Sequence, residues 1–496
     1  MKYKKIYALM IEIVILLLFS IDINMTNIPE LEIYNNQILK LLVPSKKCKL
    51  SSDKTLFLFS NIRNVSEEII KKYKIIEYKN KLNSFITYYM DDDEYKLYED
   101  LFFSQGIIRS DCIYSDNNFF ITRRITNLIK NKKQLLRINK FKKFNHLYNF
   151  QIFYKDTLYM NYNEMKKIFK EEYNFMAETY NYPIDKDVIE KKFINYTLDI
   201  NDLWLVKPKN ACWGFGIYIL DSLRKITKNE FLISKYITNL DLINNKKYDL
   251  RLHVLVSGLK PLRIYLNKEF IVRIATKDFS LNIKNIKNKY IHLTNTGLNL
   301  NNEGFINPND TNIENSNMWD TKTYSNHLIN KNIDFNKIND KIKDIIIKSI
   351  ISVYKNLTLE ENQNNLNDIN FYEILGYDII IKDDYEPILL EINDSPTVVY
   401  HNKIDKLIKT NLVIDTLNIV GISLFRKIFF LKNIQKYKNN SVEYNANNAL
   451  CELTRPKGDY ELIFPLKTNI KIYKKYFRNI NTKENQLFWE ILLKDF

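Results

Sequence analysis

The stretch "FYEILGYDIIIKDDYEPILLEINDSP", Phe371 to Pro396, reads as two strands around a polar turn. Tyr377–Lys382 and Pro387–Asn393 are rich in β-branched and apolar residues, and Asp383-Asp384-Tyr385-Glu386 interrupts them, as in a β-hairpin. The simplest hairpin is centred between Asp384 and Tyr385. It sets Asp378 directly opposite Glu391, with Asn393 two residues on and on the same face. Two carboxylates and an amide oxygen then converge within about 5–7 Å. Such a hard, oxygen-only set suits Mg²⁺, which takes one or two carboxylates and fills its remaining positions with water and phosphate oxygens. A solvated hairpin face is the alternative, disfavoured because both acids stand inside Ile/Leu-rich strands where an unpaired carboxylate is costly.

Upstream, "LWLVKP", "GIYIL", "FLISKYI", "DLRLHVLVS", "PLRIYLN" and "FIVRIAT" are short β runs separated by polar or Gly/Pro breaks, and predict an antiparallel or mixed sheet. Phe144–Phe169 runs from a loop into a helix, and Phe335–Tyr354 carries isoleucines at helical spacing. Within "KPKNACWGFGIYIL", Lys207 to Leu220, Gly214 and Gly216 take two of the chain's nine glycines. Dinucleotide and Walker loops open a helix, and none follows here. What remains is either a plain turn or a glycine loop between antiparallel strands, its N–H groups folded over phosphates and Lys207 supplying charge.

Cations recur on the strands that follow. "KKYDLRLHV" puts Lys247, Asp249 and Arg251 on one strand face. Arg263 and Arg273 each sit inside an apolar strand, so with the acid set downstream the three arginines suggest a polyphosphate or polycarboxylate site. "YIHLTNTG" adds His292, Thr294 and Asn295, with His292 read as a core histidine rather than a base.

A chain of 496 residues has room for two to four domains of roughly 100–200 residues, and a 45% hydrophobic fraction excludes disorder as its general state. The net charge of +16 favours polyanionic partners. Cys48, Cys112, Cys212 and Cys451 are far apart, which argues against a zinc site or a disulfide framework and for a reducing compartment. Ile6–Ile21 follows Lys2, Lys4 and Lys5 in the order of a signal peptide or short anchor, but is shorter than the roughly 20 residues a spanning helix needs and contains Glu12. Membrane association is left open by it. No RNA- or DNA-binding motif accompanies the charge, so no nucleic-acid partner is expected.

Taken in order, "WLVKP…GFGI", "ISKYI", "KKYDLRLHVLVSGLKPLRIYL", "IVRIATKDFS", "IHLTN", "FYEILGYDIII" and "PILLEINDSP" resemble the tubulin–tyrosine ligase family, over roughly Leu136 to Val420. "PLRIYL", "RIAT" and the late "LTRPKGDYELIFP" are most similar to its glutamylating branch. The resemblance implies an α+β, ATP-grasp fold and an ATP- and Mg²⁺-dependent ligase. Such an enzyme adds free L-glutamate to glutamate side chains of acidic tubulin tails through an acyl phosphate. The division expected is a leader over 1–26, an N-terminal small α/β domain over 27–150, a central domain over 151–237, a C-terminal catalytic domain over 238–424 and a basic extension over 425–496.

Matched to the family's motifs, Lys155, Lys207 and Lys247 contact nucleotide phosphates or the acyl phosphate, under the loop of Gly214 and Gly216. Ser234, Lys235, Tyr236 and Ile237 form the adenine hinge, and Asp249 contacts the nucleotide. Arg251, Arg273, Thr294 and Asn295 hold phosphate and substrate, Asp378, Glu391 and Asn393 bind Mg²⁺, and Arg263 is a candidate for the incoming glutamate. Lys155, Arg251, Arg273 and Glu391 are the catalytic candidates. The implied location is cytoplasmic, on microtubules, cilium or flagellum included. The basic extension, with Arg426, Lys427, Lys432, Lys436, Lys438, Lys471, Lys474, Lys475 and Arg478, is a candidate docking surface for them. Two positions depart from the family: Trp213 stands where Arg or Gln is common, and Asp394 follows the metal Asn, leaving open whether chains are started or extended. Glycine or tyrosine ligation, and a non-catalytic microtubule-binding relative, are the alternatives.

Overall fold

The computed structural model describes residues 152–495 except 210–213, 224–225, 227–229, 365–370, 395–399, 423–441 and 479–480. Before them it describes residues 38–44, 56–57, 73–79, 87–90, 96–104, 107–110, 119–121 and 143–144. The leader, Trp213 and the basic run from Arg426 to Lys438 lie outside the described residues. Among those described, no helix is long and apolar enough to cross a membrane.

The β runs build two antiparallel sheets rather than one. After helix α1 (Lys155–Phe169) come β1 (Thr179–Tyr182), helix α2 (Lys186–Phe193), β2 (Trp204–Pro208), β3 (Tyr218–Ile219) and β4 (Phe231–Lys235), whose strands join in the order β3-β2-β4-β1. Period-two alternation explains its two faces. Trp204, Val206, Phe231 and Ile233 pack on Ile189 and Phe193 of α2. Thr179, Leu205, Lys207, Leu232 and Ser234 point the other way, into a cleft.

The larger sheet has seven strands: β5 (Tyr248–Leu259), β6 (Leu262–Asn267), β7 (Ile271–Ile274), β8 (Met318–Asp320), β9 (Glu373–Ile381), β10 (Pro387–Asp394) and β11 (Tyr460–Phe464). β5 is its spine. One edge pairs with β7 and then β6, the other with β9, which pairs with β10. Leu250, Leu252, Val254 and Val256 alternate onto one face, in the core that also holds Ile338, Ile342, Ile346 and Ile350 of helix α3 (Phe335–Asn364). Each such buried side chain contributes roughly 1.5–3 kcal/mol. On the opposite face Leu255 meets Leu412 and Leu417 of helix α4 (Lys403–Val420), together with Leu101 and Phe102 of the N-terminal helix Lys96–Ser104. That helix accompanies a parallel sheet of Thr87–Met90, Ile108–Arg109, Phe119–Ile121 and Lys143–Phe144.

The β9–β10 hairpin turns one residue earlier than the simplest register. Ile381 pairs with Pro387, and Asp383-Asp384-Tyr385 make a three-residue loop with Tyr385 at φ 61°, the αL position that such loops require. A bulge at Leu390 then inserts one residue, so that Asp378 still faces Glu391 and Gly376 faces Asn393. The two displacements cancel where the acids lie.

From Val442 on, the described segment is not an appended extension. β11 pairs with β6, and Phe464, Phe477, Phe488 and Trp489 enter the main core. Arg263, expected to hold glutamate, is claimed by this segment. Its Nε donates to Glu452 Oε1 at 2.9 Å from helix α5 (Val442–Glu452), its other nitrogens bond the carbonyls of Ser257 and Pro261, and both side chains are 2% exposed. Burial works to raise the Glu452 carboxyl, but Arg263 and then Arg455 reverse that and lower it. Arg263 is thus a structural ion pair, withdrawn from the cleft.

Glu452→Ala leaves that guanidinium buried without its counter-charge and is expected to cost about 3–5 kcal/mol in urea unfolding. Replacing both partners, Arg263→Met with Glu452→Leu, is expected to recover most of the loss, because the desolvation cost leaves with the charges.

Candidate functional site

The cleft lies between the inner face of the small sheet and the β9–β10 hairpin, with an empty volume of about 690 Å³ including its mouth. It is lined by Lys155, Lys207, Ser234, Lys235, Tyr236, Ile237, Lys247 and Glu391, all eight singled out by sequence. Met176, Leu205, Leu232, Ile380, Leu389 and Ile392 supply apolar walls to either side. The search for charge passes these over, yet Leu205 and Leu232 are the alternation partners of Lys207 and Ser234, a period that could have found them.

Strand termini and helix starts aim the cations. Lys155 opens α1 and reaches Glu391 Oε2 at 3.3 Å. Lys207 stands in β2 beside Leu232 of β4. Lys247 immediately precedes β5, its Nζ 3.4 Å from the Tyr236 hydroxyl and 4.7 Å from the ring centroid. Among the described residues, neither Lys207 nor Lys247 has a carboxylate at ion-pair distance. Burial pushes the Lys207 ammonium down to about 8, with Glu391 opposing and Lys155 adding to the fall. Burial likewise pushes Lys247 down to about 8, against the pull of Asp249.

Beyond the cleft a row of charge crosses the larger sheet. Arg273 of β7 is opposite Asp249 of β5, Arg251 of β5 is opposite Asp378 of β9, and Asp378 is opposite Glu391 of β10. Arg273 Nε donates to Asp249 Oδ1 at 2.9 Å and its Nη2 to Asp378 Oδ2 at 2.9 Å. Arg251 grips the same carboxylate at 2.5 and 3.0 Å, and Asn393 Nδ2 approaches it at 3.3 Å. Burial would raise the Asp378 carboxyl, but the guanidinium groups of Arg251 and Arg273 outweigh it and hold the group well below the usual carboxylate range. The same two acids hold the Arg273 guanidinium well above its ordinary value against desolvation.

The remaining expectations fall around this core. Gly214 and Gly216 have φ 78° and 71°, and they belong to the loop joining antiparallel β2 and β3. A Cβ on Gly214 would meet Asn295 Oδ1 at 3.0 Å, so the loop needs glycine both for its backbone angle and for its approach to Asn295. Thr294 is buried and does not line the cleft. His292 is a buried histidine whose Nδ1 lies 2.8 Å from the Tyr236 hydroxyl. Asp394 is exposed at the end of β10.

Whether a divalent cation fits rests on the donors. Among the described residues, no cluster of three His, Cys, Asp or Glu side chains is present. Asp378, Glu391 and Asn393 do stand together along paired strands and Glu391 lines the cleft, with Asn393 turning its Nδ2 toward Asp378. Those residue types suit Mg²⁺ where a ligand brings further oxygens, although Arg251 and Arg273 hold both oxygens of Asp378.

A family profile described as the tubulin-tyrosine ligase family matches residues 130–428. Tubulin monoglutamylase TTLL4 of Mus musculus is 31% identical over 290 residues, 58% of this chain and 24% of that protein. Tubulin polyglutamylase ttll-5 of Caenorhabditis elegans is 30% identical over 287 residues, 55% of this chain and 39% of its own. Tubulin polyglutamylase ttll6 of Danio rerio is 28% identical over 372 residues, 70% of this chain and 46% of its own. The matches therefore span less than half the length of these relatives. With the family profile covering 130–428 of 496 residues, the cleft and the charge row included, the chain belongs to the tubulin-tyrosine ligase family.

Proposed function

We propose that this chain is an ATP-dependent carboxylate–amine ligase that joins free glutamate to glutamate side chains in the C-terminal tails of tubulin. The observation that carries the reading is the pair of lysines, Lys207 and Lys247, enclosed in one cleft without a carboxylate partner. Buried charge without a partner is costly, and a polyanion entering the cleft supplies the missing counter-charge. The hinge Ser234–Ile237 and the apolar walls suit a flat heterocycle at the other end. The names of the glutamylating relatives support glutamate as the amino acid and tubulin as the acceptor.

In this reading an acceptor carboxylate oxygen attacks the terminal phosphorus of ATP, the bond to ADP breaks, and an acyl phosphate forms. The amine nitrogen of glutamate then attacks the acyl carbon, phosphate leaves, and the amine proton is released to solvent. Lys155, Lys207 and Lys247 bind and orient the phosphates. Arg251 and Arg273, already fixed by Asp378 and Asp249, offer positive charge where oxygen charge grows, without reorganising. Asp378, Glu391 and Asn393 would hold Mg²⁺, which when bound neutralises phosphate charge. The division proposed for this work is an N-terminal module to residue 150, a central part over 151–237 and a catalytic part over 238–424. The proposed location is the cytoplasm, on microtubules.

Purified protein incubated with ATP, Mg²⁺, microtubules and each of glutamate, glycine and tyrosine is expected to add only glutamyl increments to tubulin tails in mass spectra. No increment with any of the three sinks the ligase reading. Glu391→Gln is expected to lower the rate at least about 100-fold while keeping the thermal midpoint; retained activity would refute its assigned place in the site. ATP affinity is also expected to depend on pH with a definite sign. Binding favours the protonated lysines, whose free values lie at about 8, so affinity is level below that pH and falls above it, by up to about tenfold per pH unit for each lysine. Calorimetry in two buffers of different ionisation enthalpy is expected to detect proton uptake at pH 9 and little at pH 7.

A further inference from the structure

Lys247 is tied to the hinge by one side-chain bond. Its ammonium can only donate, so the Tyr236 oxygen 3.4 Å away accepts. The hydroxyl proton of Tyr236 must then point away from the lysine, and the other polar atom beside it is His292 Nδ1 at 2.8 Å. Nδ1 is therefore the acceptor and Nε2 carries the ring proton, a tautomer assigned from the bonding pattern. Nε2 is buried with the Asn285 backbone as its polar neighbour, which leaves Tyr236 as the side-chain polar tie of this ring. Burial, reinforced by Lys247, pushes the imidazole down to about 4, so it is neutral and free to accept at physiological pH. The ring is also wedged edge-on between Tyr236 and Phe279, with centroids 5.5 and 6.1 Å away.

We propose that His292 is a positioning residue for Lys247, acting through the Tyr236 hydroxyl to hold the ammonium at one place in the cleft for an anionic ligand. The assignment rests on the nucleotide reading given above. It gives the buried histidine of "YIHLTN" a function without making it a base. A lysine stem has four rotatable carbons, and holding its tip in advance removes an ordering cost that the ligand would otherwise bear. Tyr236 serves both ends: its backbone belongs to the hinge while its hydroxyl lies between lysine and histidine.

The test is calorimetric titration of the full chain with ATP at pH 7, with thermal midpoints recorded as a fold control. Tyr236→Phe and His292→Leu are each expected to weaken ATP binding about tenfold. The double variant is expected to bind no more weakly than Tyr236→Phe alone, because the histidine acts through that hydroxyl. His292→Asn, whose Oδ1 stands near the place of Nδ1, is expected to restore most of the affinity lost in His292→Leu. Should His292→Leu fold poorly, His292→Asn with and without Tyr236→Phe makes the same comparison. The assignment is overturned if His292→Leu binds ATP as the unmodified chain does, if the two losses add, or if His292→Asn is no better than His292→Leu. Failure of the unmodified chain to bind ATP overturns the nucleotide reading and this assignment together, whereas normal binding with an indifferent His292 overturns the assignment alone.

Discussion

The site depends on one carboxylate. Asp378 is nearly sealed from solvent, and it stays charged because Arg251 grips both its oxygens while Arg273 reaches across from β7. A buried acid left alone takes up a proton; one held by two guanidinium groups does not. In return Asp378 and Asp249 fix both arginines with their planes set. Remove that acid and the strands still pair, but Arg251 loses the carboxylate that holds it and Arg273 is left with Asp249 alone.

The cleft and the row thus treat charge in opposite ways. In the row, Arg251, Arg273, Asp249 and Asp378 balance one another inside the sheet. In the cleft, Lys207 and Lys247 are enclosed without a carboxylate at ion-pair distance among the described residues, and burial lowers both. Balanced charge holds shape; unbalanced charge creates a demand for a ligand. Glu391 stands at the junction, opposite Asp378 in the ladder and 3.3 Å from Lys155 in the cleft.

Much of this was legible because a strand writes its faces in alternate letters. In "KYDLRLHVLV" the positions of Lys247, Asp249, Arg251 and His253 interleave with Leu250, Leu252 and Val254, so one face is charged and the other apolar. The pairing of Asp378 with Glu391 was legible for a weaker reason, since the early turn and the Leu390 bulge offset each other. Alternation states which face a residue takes, not what covers it. Hence Arg263 looked like one more cation of the site, when Glu452 lies 189 positions away in sequence and faces it in the core. The same limit hid the split into two sheets and the link from Lys247 through Tyr236 to His292, all of which join distant segments.

Net charge has that limit in its plainest form. A value of +16 is summed over the chain, whereas a partner feels charge where it is exposed and unpaired. Lys475 is bonded to Glu172 at 2.5 Å and Arg478 to Glu164 at 3.3 Å, so two of the cations expected to face an acidic partner are already answered by α1 and the turn after it. Their neighbours Tyr476 and Phe477 are core residues. This segment is tied down by apolar burial and its lysines flank that anchor. Lys471 and Lys474 are exposed beside it, so any attraction of acidic tails here rests on those two rather than on the whole basic count.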